Sequence, residues 1–350
     1  MPPHVLEKMF DVAVEDDESD ENVLIGLCKL SEVCVGWRNS ILSSTKLFAN
    51  CKIYGSTVKN ELLYRQLVKT GLVNKIKNIK IWCPKGVEML VEDMGEKSLS
   101  EIILAIDGNW SDEVLDRLLQ FLSSCSNVTT VIISFEMADQ RMAVWYWKIL
   151  QKVINCNQQP KNLHCEIHSF PPEPIDWQFI KDLDFHGCGL IKNLNISVYS
   201  VHMLKEWPDW TYLADAVSIE QVTIHEFLYE DVLGFYKTLK AKRIDVNEFE
   251  LTRPMTKFFN NFESLYIHDC WDDDIGKINH QNAHAVCDFA PQYFVEDVEN
   301  LSALAEAFKS SCIKTLTFSL TQTTFDCDDS LFDNWIDHAR ADKEQHFICS

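Results

Sequence analysis

A chain of 350 residues, 46% hydrophobic and 24% charged, has the material for one large domain or two smaller ones. Its formal charge of −21 argues against a nucleic-acid or anionic-membrane binder, because neutralising phosphates needs clustered Lys and Arg. No apolar run approaches the ~20 residues of a membrane-spanning helix, and the first residues lack a secretory signal pattern. The expectation is a soluble protein of the cytoplasm, the nucleus or both, whose 13 scattered cysteines stay reduced.

Residues 1–45 hold two short amphipathic pieces separated by an acidic loop at about residues 13–23. MPPHVLEKMF predicts a helix preceded by prolines, which a first turn tolerates because the missing N–H would be unpaired there anyway. Val5, Leu6, Met9 and Phe10 form its apolar stripe. In LCKLSEVCVGWRNSIL, residues Leu27, Leu30, Val33, Cys34 and Trp37 recur at helical spacing and form a second. Two helices this short have too little core to stand alone, so their apolar sides must dock on the rest of the chain, on each other or on another protein.

From residue 46 to 350 an apolar pattern at i, i+3 and i+5 recurs. It occurs as Phe48/Cys51/Ile53, Ile76/Ile79/Ile81, Leu99/Ile102/Leu104, Val128/Val131/Ile133 and Pro160/Leu163/Cys165. It continues as Ile191/Leu194/Ile196, Ile219/Val222/Ile224, Ala241/Ile244/Val246, Phe262/Leu265/Ile267 and Ile313/Leu316/Phe318. The starts lie 21 to 32 residues apart except for a last gap of 51, which predicts one degenerate unit near residues 284–295. Residues at i+3 and i+5 share one face of a short strand. Helical stripes intervene at Glu113–Ser124, Trp145–Ile154, Tyr229–Leu239 and Val298–Lys309. A strand and a helix repeated at this interval bury their apolar sides by stacking. The predicted fold class is therefore α/β: a small helical module followed by an irregular solenoid, with a doubly wound sheet as the competing architecture. The L-x-x-L-x-L core resembles the leucine-rich repeat, with uneven lengths and no full asparagine ladder; that resemblance implies a horseshoe with a concave parallel sheet.

Motifs of catalysis are missing from the sequence: no GxGxxG, GxxxxGK[ST], HExxH or GxSxG, and no CxxC. The acidic run Trp271–Asp274 lacks the ligand spacing of a calcium loop. His164 and His168 lie in a strand-like stretch, where i and i+4 are ~13 Å apart and cannot share one ion. The chain is therefore expected not to be an enzyme and to use no metal or cofactor.

PPHVLEKMF followed by L-S-E-V-C-x-x-W-R resembles the F-box, a motif of about 40 to 45 residues. Pro2, Val5, Leu6, Met9, Phe10, Leu30, Val33, Cys34 and Trp37 fall on matching positions, and Leu27 fits less firmly. Met1 stands where the family has leucine, Glu32 where an apolar residue is frequent, and the acidic loop adds about eight residues between the two halves. The resemblance implies docking on a Skp1-like adaptor of a cullin ubiquitin ligase, with residues 46–350 recruiting a protein substrate. Strand positions that point away from the core would line the substrate face: Lys80, Trp82, Asn195, Ser197, Thr223, His225, Tyr266 and His268. The alternative is a repeat scaffold whose N-terminal helices only cap the open end of the stack.

Overall fold

The structure, a computed structural model, describes residues 29, 32–43, 52–55, 64–69, 71–92, 97–155, 161–168, 170, 171, 173–185, 190–198, 208–225, 230–246, 257–268, 280, 283–289, 315–320 and 346–349. The chain divides into two compact units, Met1–Ile191 with Met203–Glu206, and Lys192–His202 with Trp207–Ser350. The division falls inside a strand, between Ile191 and Lys192. The first amphipathic piece, the acidic loop and the helix expected at Val298–Lys309 lie outside the described residues.

The first unit begins its described part with helix α1 (Val35–Ser43), strands β1 (Lys52–Gly55) and β2 (Asn78–Ile81) and helix α2 (Pro84–Glu92). Strands β3 (Lys97–Ser98) and β4 (Glu101–Ile106), helix α3 (Asp112–Ser124), and strands β5 (Cys125–Ser126) and β6 (Thr130–Glu136) follow. Helix α4 (Gln140–Asn155) and strand β7 (Lys161–His168) complete it, and β8 (Leu190–Val198) carries the division. The main strands pair in the order β1-β2-β4-β6-β7, all parallel, while β3 and β5 form a separate short ladder.

The second unit contains helix α5 (Thr211–Ala216), strand β9 (Ser218–Ile224), helix α6 (Glu230–Tyr236) and strands β10 (Arg243–Val246) and β11 (Ser264–His268). Strands β12 (Ala283–Phe289), β13 (Thr315–Leu320) and β14 (His346–Cys349) end it. Here β9-β10-β11-β12-β13-β14 pair in sequence order, again all parallel. A doubly wound sheet reverses its strand order at a switch point. Neither run of described strands reverses or closes on itself, so each unit is an open parallel α/β sheet wound in one direction.

The apolar phase of the sequence sets the register. Ile79, Ile102, Val131 and Leu163 lie in one row across β2 to β7, and Ile81, Leu104, Ile133 and Cys165 in the next. In the second unit Val222, Ile244 and Leu265 make one row, and Ile224, Val246 and Ile267 another. All of these side chains are buried, and each aliphatic one contributes about 1.5–3 kcal/mol by leaving water. The first repeat differs from its sequence alignment, because Ile53 pairs with Ile79 and not with Ile81. A slip of two residues keeps the same face of a strand, so an apolar pattern cannot detect it. The degenerate unit is β12. His280 takes the place of its first apolar residue, is 7% exposed, and bonds through Nε2 to the Phe262 carbonyl at 3.2 Å.

A recurring backbone device ties successive repeats together below the strands. The Lys77 carbonyl accepts the N–H groups of Ser100 and Glu101 at 2.8 and 3.1 Å, and the Ser100 carbonyl those of Thr129 and Thr130 at 3.1 and 3.0 Å. In the second unit the Lys242 carbonyl accepts from Glu263 and Ser264 at 2.9 and 3.0 Å. Each turn into a strand thereby satisfies two donors of the next, which leaves little freedom in repeat spacing.

Capping explains the helix limits. Ser111 accepts from the Val114 N–H ahead of α3, with Asp112 and Glu113 in the first turn, where the helix dipole favours them. Asp139 accepts from the Met142 N–H at 2.7 Å, so α4 starts five residues before the stretch expected from the sequence. Arg141 then clamps the loop after β4, donating to the carbonyls of Gly108 and Trp110 and to Asp112 Oδ1 at 2.9–3.0 Å. A Cβ on Gly108 would stand 2.9 Å from that of Ala138, so this loop needs glycine for its close approach. Between β7 and β8 the segment SFPPEPIDW, rich in proline, yields a short 3-10 helix (Trp177–Asp182) instead of an α-helix.

Candidate protein-binding faces

The strands alternate buried and partly exposed residues, as in β4 and β6. Rows at i+3 and i+5 enter the core, so i+2, i+4 and i+6 form the opposite face of each sheet. That face is where the sequence placed its substrate-contacting residues.

In the second unit the face carries a tightly bonded cluster. Arg243 forks onto Asp245, Nε to Oδ1 at 2.5 Å and Nη2 to Oδ2 at 2.6 Å. Gln221 Nε2 donates to Asp245 Oδ2 at 3.2 Å and to Thr223 Oγ1 at 3.4 Å, and His268 Nε2 lies 3.6 Å from Asp245 Oδ2. The Arg243 guanidinium sits 3.4 Å from the Tyr266 ring centroid, and that ring stacks on His284 at 4.4 Å and 17°. Asp245 is 4% exposed. Burial raises its carboxyl, but hydrogen bonds and charge from His268 and Arg243 outweigh this and hold it below its ordinary value. Thr223, Asp245, Tyr266 and His284 are direct register partners, which is how four separate repeats assemble one cluster.

Of the residues expected on this face, the structure thus brings Thr223, Tyr266 and His268 together. His225 is exposed and its N–H donates to the Ile196 carbonyl at 3.5 Å. Asn195 is half-buried on β8. Ser197 is 5% exposed, because the alternation of β8 ends in three consecutive buried residues, Ile196, Ser197 and Val198. It does not present its hydroxyl to a partner.

In the first unit Lys80 and Trp82 share the face. The Lys80 ammonium lies 4.6 Å from the Trp82 ring centroid, and Trp82 is 42% exposed. Lys80 pairs with Ile103, Ile103 with Ile132, and Ile132 with His164, so two isoleucines occupy the middle of an outward row. Next to it runs Ala105, Ser134 and Glu166. Glu166 stands between His164 and His168, each Nε2 3.6 Å from one of its oxygens, and His168 Nε2 is also 3.1 Å from Ser134 Oγ. The two histidines share one carboxylate. Among the described residues no group of three or more His, Cys, Asp or Glu side chains could hold a metal, and no helix is long and apolar enough to cross a membrane.

The third region is the second amphipathic piece. Val33, Cys34 and Trp37 are described; Pro2, Val5, Leu6, Met9, Phe10, Leu27 and Leu30 lie outside the described residues. Cys34 precedes α1, and its thiol accepts from the Trp37 N–H at 3.4 Å while its carbonyl accepts from the Arg38 N–H at 3.1 Å. Ile41 is fully buried, whereas Val33 is 61% and Val35 68% exposed. The Gln66 amide donates to Glu32 at 3.2 Å, which fixes the approach to the helix.

Sequence reasoning missed Asp245, Arg243, Gln221, Ile103, Ile132 and Glu166. All stand at i+2, i+4 or i+6, so the same alternation that placed Thr223 and Tyr266 carried the signal. No family model and no curated protein matches the chain.

Proposed function

We propose that the chain is the non-catalytic substrate-recognition subunit of an SCF-type ubiquitin ligase, with the segment around α1 docking on a Skp1-like adaptor and the outward sheet faces holding a protein substrate. The carrying observation is the exposure of Val33 and Val35 beside a buried Ile41. Valines held in water at and just before the start of α1, with Ile41 of the same helix buried, are apolar surface left for a partner. A capping helix would turn those valines inward, which makes the scaffold reading the weaker of the two.

The stacked strands support a leucine-rich-repeat-like solenoid, since parallel strands paired in sequence order with repeated apolar rows are what a stack of such units requires. In this reading the chain performs no chemistry and needs no cofactor. It tethers a substrate near the ligase-bound ubiquitin carrier in the cytoplasm or nucleus, raising the effective concentration of the reacting lysine.

Mixing the full chain with purified Skp1 on a sizing column tests this. Co-elution that Val33→Asp abolishes is the expected result; separate elution of the unaltered chain overturns it. Deleting residues 1–45 addresses the scaffold reading, which requires a large loss of thermal stability from the missing cap.

A further inference from the structure

We infer that the outward face of the first unit, over β2, β4, β6 and β7, is a docking surface for an extended protein segment carrying an apolar side chain flanked by basic ones. The inference rests on the receptor reading for the occupant being a protein.

The centre of the face is apolar where a solvated sheet would be polar. Ile103 and Ile132 are direct partners on adjacent strands, both part-exposed, and the small Ala105 follows Ile103 in the next outward row. Trp82 stands beyond the end of β2, whose last residue Ile81 pairs with Leu104, and is 42% exposed. An aromatic ring beside a short aliphatic floor suits one apolar anchor.

The charges around that floor set the sign of the partner. Lys80 is the cation, held over the Trp82 indole, while Glu101, Glu136 and Glu166 occupy the same face. With neutral histidines, one positive and three negative charges give −2, inside a chain whose net charge is −21. Glu136 uses Oε2 to accept the Gly108 N–H at 3.2 Å, and Glu166 meets His164 and His168 at 3.6 Å. Glu136 is held by its hydrogen bond, and carboxylates grouped on one face select Lys or Arg on a partner by complementarity. An acidic segment would meet Glu136 and Glu166 at the β6–β7 side, with repulsion in place of attraction.

The test uses the full chain and three fluorescent synthetic peptides in anisotropy titrations: leucines flanked by lysines, the same peptide with serine for leucine, and the same peptide with glutamate for lysine. The lysine–leucine peptide is expected to bind about tenfold tighter than either control. Ile103→Thr with Ile132→Thr, and separately Glu166→Gln, should each weaken it about fivefold or more, while Asp116→Ala, at an exposed position of α3, leaves it unchanged. Threonine keeps the strand preference of isoleucine, and unchanged circular dichroism melts establish folding. Equal binding of the serine control marks charge attraction alone and overturns the inference. So does preferential binding of the glutamate peptide, or equal loss in the Asp116 variant. Skp1 is not in the assay, so failure here and failure to bind the adaptor are separate results.

Discussion

Arg243 and Asp245, two residues apart on β10, join through two hydrogen bonds at 2.5 and 2.6 Å, and Asp245 stays ionised while 4% exposed. A strand puts residues i and i+2 on one face about 7 Å apart, so a long arginine can fold back onto a short carboxylate. The pair anchors a cluster drawn from repeats across the second unit.

Asp245→Asn removes the charge and keeps the shape, leaving the guanidinium half-buried without its counterion. A loss of about 2–4 kcal/mol in urea denaturation at neutral pH is expected. Because the folded carboxyl lies below its ordinary value, its contribution is present above the unfolded value of about 4 and fades as pH falls through the folded one. The gap between parent and variant should shrink in acid; an equal gap at pH 7 and pH 3 would contradict the assignment.

Lys161 is a second buried charge with a different purpose. Its side chain is 0% exposed and Nζ donates to the Ile154 carbonyl at 3.4 Å, in the last turn of α4. A cation there meets the negative end of the helix dipole and one of its last-turn carbonyls. Lys161→Ala should cost about 2–3 kcal/mol, and a loss no greater than that of the exposed control Lys242→Ala would refute the role.

Cysteine reactivity distinguishes the segment before α1 from the core. Cys34 is exposed, Cys125 and Cys165 are buried, and burial pushes the Cys165 thiol up to about 11. Maleimide labelling followed by peptide mass mapping should modify Cys34 in the native chain and the other two only in denaturant. Added Skp1 should protect Cys34. Native labelling of Cys165 at the rate of Cys34 would contradict the packing around β7.

Much of the fold was legible because core rows repeat in phase. Ile79, Ile102, Val131 and Leu163 announced both their strands and their common face, and the register followed. Ile53 was misaligned by two residues because period-2 structures are blind to that shift. His280 hid its repeat because a buried, hydrogen-bonded histidine can fill an apolar position. Strand β14 carries no apolar triplet in phase with the others and was not anticipated. For the candidate faces, alternation identified which residues point outward but not which of them meet. The Arg243–Asp245 fork and the Tyr266–His284 stack depend on side-chain reach across strands, and the double burial of Ser197 depends on tertiary packing.

The most direct test of the ligase reading is a calorimetric titration of the full chain with Skp1. The account predicts a saturable complex with Kd of about 1 µM or tighter, weakened at least about tenfold by Val33→Asp, a substitution at a 61% exposed position that leaves the core intact. Leu6→Ala with Trp37→Ala should do the same from both halves of the module. No measurable binding by the unaltered chain, or binding that Val33→Asp leaves undiminished, would contradict it.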